Sequence, residues 1–420
     1  MMRFNLKHIL YSNWQHRPRQ KIIKRLFLLG ILVGILTNPF RLMAQDPDEL
    51  DRFIGRKDSI LVTDSQGQIL LAKNADKKLI PASILKIFTS LVALHYLGND
   101  YRFPTEFYLD ERSNLKIKGY GDPLLVSEVI NKISQVLSVL LKNTQPINDL
   151  VLDDSYFSQP LTIPGISSSS QPYDAPNGAL CVNFNTVNFK HTSQGYVSAE
   201  PQTPLLPLVI RKIKALKLNK GRIVFSHNNN EIAIYAGKLF QYFLEKQGIR
   251  FTGEVKLARI NAKTDRLIFR YDSQSSLQQI VEKLLEHSNN FTTNQLLIAT
   301  GAEIIGSPGT LIKGVTIARD YAKNMLDIED MSIVEGSGIS RDNKVSAAQM
   351  DQVLQEFLPY HNLMRREGRE YFKTGTLHGI STRAGYIKSA DGGLYRYVIM
   401  LNSPDKSTDS LILRLLRILN

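Results

Sequence analysis

One cysteine and one tryptophan in 420 residues are conspicuous shortages. With Cys181 alone no intramolecular disulfide can form, and its setting, Ala179-Leu180-Cys181-Val182, reads as a small buried hydrophobe rather than a reagent. The eight histidines are scattered, with no pair at helical ligand spacing, so neither a metal nor another cofactor is indicated. The apolar stretch Leu26 to Leu36 stops far short of the roughly 20 residues a membrane span needs. Acidic residues are absent from the first 44 positions, which carry eight Lys/Arg.

That basic, acid-free leader, followed by the apolar run and by Leu42-Met43-Ala44, reads as a secretory signal over residues 1–44 with cleavage after Ala44. An uncleaved anchor is the alternative, and would be the chain's one tie to a membrane. The leader also explains most of the net charge of +13. Without its eight cations, 44 Lys/Arg stand against 39 Asp/Glu, and the mature chain is close to +5. A nucleic-acid partner, which the pI of 9.5 would suggest, is therefore not expected. Hydrophobic content of 43% and charged content of 22% describe a folded globular protein long enough for more than one domain.

Along the chain, Ser59–Thr63 and Gln68–Ala72 are β-like runs separated by Asp64-Ser65-Gln66-Gly67, a hairpin signal. Pro81 precedes an apolar run from Ile84 to Leu97 closed by Gly98, which predicts a helix with Ser83 at its N-terminus. Short β-type segments follow from about residue 99. An amphipathic helix is predicted with Leu125, Val129, Ile133, Val136 and Leu140 on its core face. A strand at Leu150–Leu152 leads to a serine run at 167–170 that reads as a flexible loop, and another helix spans Ile232 to Gln247. Further helices begin at Leu277 and Ala347, a strand covers Tyr397–Leu401, and the last helix is Leu411 to Leu419. Strands at both ends around a helical middle suggest that the two ends meet in one sheet.

Three short motifs stand in order: Ser83-x-x-Lys86, Ser288-x-Asn290 and Lys373-Thr374-Gly375. Singly they are cheap. Ser-x-x-Lys recurs at Ser113 to Lys116 and at Ser403 to Lys406, and Ser-x-Asn at Ser226 to Asn228. Each also has a bland reading as a helix cap, a solvated lysine or a loop turn. Only the first Ser-x-x-Lys opens a predicted helix, where spacing brings hydroxyl and amine to one face. Acyl transfer needs a nucleophile, a base that is neutral at working pH and donors for an oxyanion. Ser83 suits the first role, and Lys86 the second if burial and the nearby charge of Lys373 depress its pKa. Ser288 could relay a proton to a leaving amine, and the Asn290 amide can bond both Lys86 and a substrate carbonyl. Lys373 suits a terminal carboxylate, Gly375 a close backbone approach, and the Ser83 and Thr376 amides an oxyanion.

These motifs, with Gly119-x-Gly-Asp-Pro123, Asp154-Ser-Tyr-Phe157, Gly336-Ser-Gly-Ile-Ser-Arg341 and Lys373-Thr-Gly-Thr-Leu377, resemble the D-alanyl-D-alanine carboxypeptidase/endopeptidase family, the class C low-molecular-mass penicillin-binding proteins of peptidase family S13. The resemblance covers about residues 58–401. It implies an α/β (α+β) fold: a DD-peptidase/β-lactamase-like domain with an antiparallel sheet flanked by helices, plus an inserted, mainly β domain. The separation of 205 positions from Ser83 to Ser288 accommodates such an insertion. The expected organisation is 45–97 with 271–420 as the discontinuous catalytic domain and 98–270 as the insert.

The resemblance further implies acylation of Ser83, with Lys86, Ser288 and Asn290 as its catalytic partners and Lys373, Thr374, Gly375 and Thr376 binding substrate. It also places Arg341, His378, Asp154 and Phe157 around the pocket for the penultimate stem-peptide residue. The implied partners are peptidoglycan stem peptides, with β-lactams as covalent inhibitors, at an exported, cell-envelope location. Three departures stand out. The segment after Phe157 is short and serine-rich, Glu335 replaces the usual Asp, and the chain is short for the family, so a third nested domain is reduced or absent. Rival readings are a β-lactamase or esterase on the same scaffold, for which no Glu on a dedicated loop is evident, and a non-catalytic peptidoglycan-binding protein.

Overall fold

The computed structural model describes residues 52–390 and 392–419; the leader read over residues 1–44 lies outside them. A hairpin of β1 (Asp58–Thr63) and β2 (Ile69–Lys73) leads into α1 (Leu85–Leu97). Next come β3 (Pro104–Leu109), β4 (Leu115–Gly119), α2 (Ser127–Leu140) and β5 (Leu150–Asp153). After a long loop the chain forms β6 (Thr186–Thr192), β7 (Gly195–Ser198), α3 (Pro207–Leu216), β8 (Lys220–Val224), α4 (Asn229–Lys246), β9 (Val255–Leu257) and β10 (Arg266–Asp272). Four helices follow: α5 (Leu277–His287), α6 (Asn290–Ile305), α7 (Leu311–Leu326) and α8 (Ala347–Phe357). The chain closes through β11 (Arg365–Glu367), β12 (Glu370–Leu377), β13 (Ile380–Lys388), β14 (Leu394–Leu401) and α9 (Asp409–Ile418).

The two ends of the described chain do meet in one sheet. Its order is β11-β12-β13-β14-β1-β2, and β1 pairs antiparallel with β14, Asp58 opposite Leu401 and Thr63 opposite Arg396. A second sheet, β10-β3-β4-β5-β9, is drawn wholly from residues 104–272, and β6, β7 and β8 make a third. The second sheet is mixed, since β5 runs parallel to both β4 and β9. The stretch 98–270 also carries α2, α3 and α4. There are two large apolar clusters. One joins α1, α5, α6, α7 and α8 to the first sheet and also takes in Phe103, Tyr156, Phe157, Ile163 and Ala179 from that stretch, and the other joins α2, α3 and α4 to the second and third. Among the described residues no helix is long and apolar enough to cross a membrane.

Helix α1 is mainly apolar and is buried from Leu85 through Leu94, Lys86, Thr89 and Ser90 included, as expected of a helix at the centre of a core. Burying Ile84, Leu85, Ile87 and Phe88 contributes about 2 kcal/mol for each side chain, which offsets the cost of carrying the Lys86 amine inside. Helix α2 forms as predicted, but its core face is Ile130, Ile133 and Leu137. Val136 and Leu140, expected inside, are 44% and 49% exposed. Helices α3, α6 and α7 were not predicted. In α6 the buried face includes Thr292, Thr293, Asn294, Gln295 and Thr300 beside apolar residues, so no polar stripe marks a helical period. The serine run is not a loose loop either: the buried Asp174 carboxylate takes the Ser167 amide and the Ser167 and Ser169 hydroxyls.

Candidate active site

Ser83 lies in a single 3-10 turn, Ala82–Ile84, that feeds directly into α1. Ala82 has φ +49°, a left-handed conformation that costs a non-glycine residue energy and persists only where its surroundings hold it. Two glycines let those surroundings come close. A Cβ on Gly338, whose φ is +81°, would sit 1.9 Å from the Ala82 carbonyl oxygen. A Cβ on Gly375 would sit 2.6 Å from the Ser83 nitrogen and 2.4 Å from Thr382 Oγ1. Thr382 Oγ1 in turn donates to the Pro81 carbonyl at 2.7 Å. The nucleophile turn is thus clamped between the 336–340 loop and strands β12 and β13.

One turn into α1, Lys86 is fully buried. Its Nζ lies 2.9 Å from Ser83 Oγ, 2.7 Å from Asn290 Oδ1 and 2.6 Å from the Ser337 carbonyl oxygen. Burial holds its pKa well below the ordinary lysine range, and the neighbouring Lys373 charge lowers it further, while Glu335 opposes both. Asn290 reaches the amine because the chain breaks between two helices. Helix α5 starts from a Ser276/Gln279 capping box and stops where Ser288 turns left-handed, φ +55°. Asn289 then caps α6 by accepting from the Thr292 amide at 2.9 Å. The other end of the Asn290 amide donates to the Tyr173 carbonyl at 3.2 Å.

Lys373 is buried on β12, where its Nζ donates to the Thr374 carbonyl at 2.8 Å. Burial, and then the Arg365 charge, bring its pKa down to about 8. Gly375 is buried on the same strand, with Thr374 and Thr376 exposed on either side. Arg341 and His378 come together at the surface, the guanidinium donating to the His378 carbonyl at 2.5 Å.

Ser83, Lys86, Asn290, Lys373 and Gly375 are therefore assembled in one place, and half-buried Ser288 sits two residues from Asn290. Phe157 is not at this site. It is 1% exposed, bridged to Gly309, and its ring packs on Gly121 and Gly309 in the core. Asp154 is half-buried beside Cys181, with its pKa raised by burial and by Asp153. The competing motifs are accounted for as well. Lys116 pairs with Asp265 and Asp110, Lys406 with Asp58, and Asn228 caps α4. Sequence reasoning missed the Ser337 and Tyr173 carbonyls, because a backbone oxygen leaves no mark in residue type.

Known proteins resemble this chain along most of its length. The sequence profile of the D-Ala-D-Ala carboxypeptidase 3 (S13) family matches residues 42–219 and 215–365. The chain is 24% identical over 408 residues to a D-alanyl-D-alanine carboxypeptidase of Actinomadura sp. (strain R39), covering 80% of this chain and 76% of that protein. It is 22% identical over 406 residues to D-alanyl-D-alanine carboxypeptidase DacB of Haemophilus influenzae, covering 80% and 83%. The crystal structure of penicillin binding protein 4 (dacB) from Haemophilus influenzae superposes with a TM-score of 0.71 at 19% identity, over 89% of this chain and 98% of that one. The fold is thus shared with that structure along most of the chain, and by its sequence the protein belongs to the D-Ala-D-Ala carboxypeptidase 3 (S13) family.

Proposed function

We propose that this protein is a serine-type D-Ala-D-Ala carboxypeptidase acting on peptidoglycan stem peptides through an acyl-enzyme on Ser83. The observation that carries the reading is the set of contacts around Lys86. Asn290 Oδ1 and the Ser337 carbonyl can only accept. A neutral amine has two N–H bonds, and these two acceptors consume both. The lone pair is left facing the third neighbour, Ser83 Oγ, so the amine is set up to accept the serine proton.

In the reaction so assigned, Ser83 Oγ bonds to the carbonyl carbon of the penultimate residue as its proton passes to Lys86 Nζ. The Ser83 and Thr376 amides support the oxyanion. The C–N bond to terminal D-alanine breaks, and its nitrogen takes the proton through Ser288. Lys373, with Thr374 and Gly375, holds the terminal carboxylate, and Arg341 and His378 border the side-chain pocket. Water then attacks the ester, giving its proton to Lys86, and Ser83 leaves reprotonated. A penicillin presents a strained amide and a carboxylate to the same groups and acylates the same oxygen.

The reading extends to an exported protein delivered by the 1–44 leader, with residues 98–270 as a domain inserted into the catalytic one. A D-alanyl cross-link offers the same bond, which makes endopeptidase activity part of the proposal. The test is labelling with a fluorescent penicillin, together with assays of D-alanine release from a pentapeptide and cleavage of a cross-linked muropeptide dimer. Labelling that vanishes in Ser83→Ala and D-alanine release by the wild type are expected. An unlabelled wild type, or undiminished labelling of Ser83→Ala, would remove the reading. Rapid turnover of the penicilloyl adduct would identify a β-lactamase instead.

A further inference from the structure

Close enough to Lys86 to act on its charge lies a carboxylate with no role in the reaction as described. Glu335 is fully buried, and six donors converge on it. Oε2 accepts from the Ser337 amide at 2.7 Å, Ser337 Oγ at 2.7 Å and Asn294 Nδ2 at 3.1 Å. Oε1 accepts from Asn343 Nδ2 at 2.6 Å, the Gly338 amide at 2.7 Å and the Ser340 amide at 3.3 Å. Every neighbour donates, so the group must be an acceptor at both oxygens, and only the ionised carboxylate is that. Three backbone amides of residues 337–340 wrapped on one anion define the loop as a turn built around a charge.

The loop so built meets its surroundings through Gly336, Ser337 and Gly338. The Gly336 carbonyl accepts from Thr89 Oγ1 on α1 at 2.8 Å, and the Gly336 amide donates to Asn294 Oδ1 on α6 at 2.8 Å. The Gly338 backbone lies against the left-handed Ala82. The Ser337 carbonyl takes one N–H of Lys86. We propose that Glu335 is a positioning residue of the acyl transfer: its charge folds the 336–340 loop so that the Ser337 carbonyl aims the Lys86 lone pair at Ser83, and it is the anion that acts on that amine. The inference rests on the Ser83–Lys86 reading above. The charged groups acting on Lys86 are then Lys373 from β12, which drives its proton off, and Glu335 from the loop, which holds it on.

The test is the second-order rate of acylation by benzylpenicillin as a function of pH, with a thermal melt, for wild type, Glu335→Gln and Glu335→Asp. Glu335→Gln keeps the shape but turns two N–H bonds toward donors, so the plateau rate falls about ten-fold or more. With the anion gone, the midpoint of the acid limb moves to lower pH, whereas Glu335→Asp keeps the wild-type midpoint and recovers rate. A merely structural glutamate would lower the melting temperature and the rate in Glu335→Gln while leaving the midpoint in place, and that outcome overturns the proposal. Should Glu335→Gln not melt cooperatively, Ser337→Ala is read instead. It strips one donor from Oε2 but keeps the charge and the Ser337 carbonyl, so the less compensated anion moves the midpoint upward; an unmoved midpoint overturns the proposal equally. Labelling that survives Ser83→Ala would sink the underlying acyl-enzyme reading, whereas wild type labelled at Ser83 with an immobile Glu335→Gln midpoint would sink this inference alone.

Discussion

Two lysines a short distance apart must be in opposite states for the site to work. Lys86 has to be neutral to take the serine proton, and Lys373 has to be charged to hold a carboxylate. Deep burial and the Lys373 charge push Lys86 down, while Lys373, with a pKa of about 8, stays mostly protonated at neutral pH. The amine of Lys86 becomes a base as pH rises through its depressed pKa, and Lys373 loses its charge as pH rises through about 8. A bell-shaped kcat/KM follows, its basic limb near pH 8, with both limbs belonging to the coupled pair. Lys373→Arg, which stays charged at any working pH, removes that basic limb, and its bulk in a buried position lowers kcat/KM at pH 7 by about ten-fold or more. Hydrolysis of a D-Ala-D-Ala peptide from pH 5 to 10 checks both statements. These residues were legible in the sequence because their chemistry is in their side chains. Glu335 was noticed there only as a substitution for Asp; its work, and that of the Ser337 and Tyr173 carbonyls, depends on where the backbone goes.

At the scale of elements, the hairpin, α1, α5, α8 and the strand β14 were readable, since each carries an apolar run, a clean period or a cap such as Ser276 with Gln279. Helix α6 was not, because burial on all sides erased the polar stripe: Thr293 and Thr300 bond back to carbonyls four residues earlier, and Asn294 and Gln295 are satisfied by partners distant in sequence. The face of α2 was misjudged for a related reason. Ser127 and Ser134 are buried, so its polar and apolar positions do not sort by solvent. Strand β12 carries the element-scale prediction. Its close approach to the Ser83 turn depends on the missing side chain at 375, and an alanine there forces the strand back. Gly375→Ala is expected to cut penicillin acylation by about a hundred-fold, the cost of a displacement near 1 Å at a reacting centre, while the far-ultraviolet circular dichroism stays that of the wild type. Acylation within a few-fold of wild type would show that β12 does not set the position of Ser83.

Across the whole molecule, the part built from residues 104–272 does more than flank the site. Asn177 donates to the Phe291 carbonyl and to Gln295 Oε1, each at 2.8 Å, and Gln295 Nε2 donates to the Gly178 carbonyl at 2.7 Å. These buried bonds stitch the 173–178 segment to α6, so that Tyr173 stands beside Asn290. Asn177→Ala strands two buried acceptors, at about 1–3 kcal/mol, and slackens the Tyr173 contact. A lower denaturation midpoint together with slower acylation is expected. A lower midpoint with unchanged acylation would mean that the seam serves stability alone.

The pairing of β1 with β14 also fixes an order of events. A chain synthesised from its N-terminus presents Ser83 and Lys86 long before Lys373, Gly375 and the partner of β1 exist. Asp58 finds Leu401 only after more than three hundred intervening residues have followed, and a contact that distant is slow to close. Until then the left-handed turn at Ala82 has nothing to brace it and Lys86 lies open to water, where an amine keeps its proton. The serine is therefore inert while the chain is being made, and acquires its reactivity only once the last strand has docked.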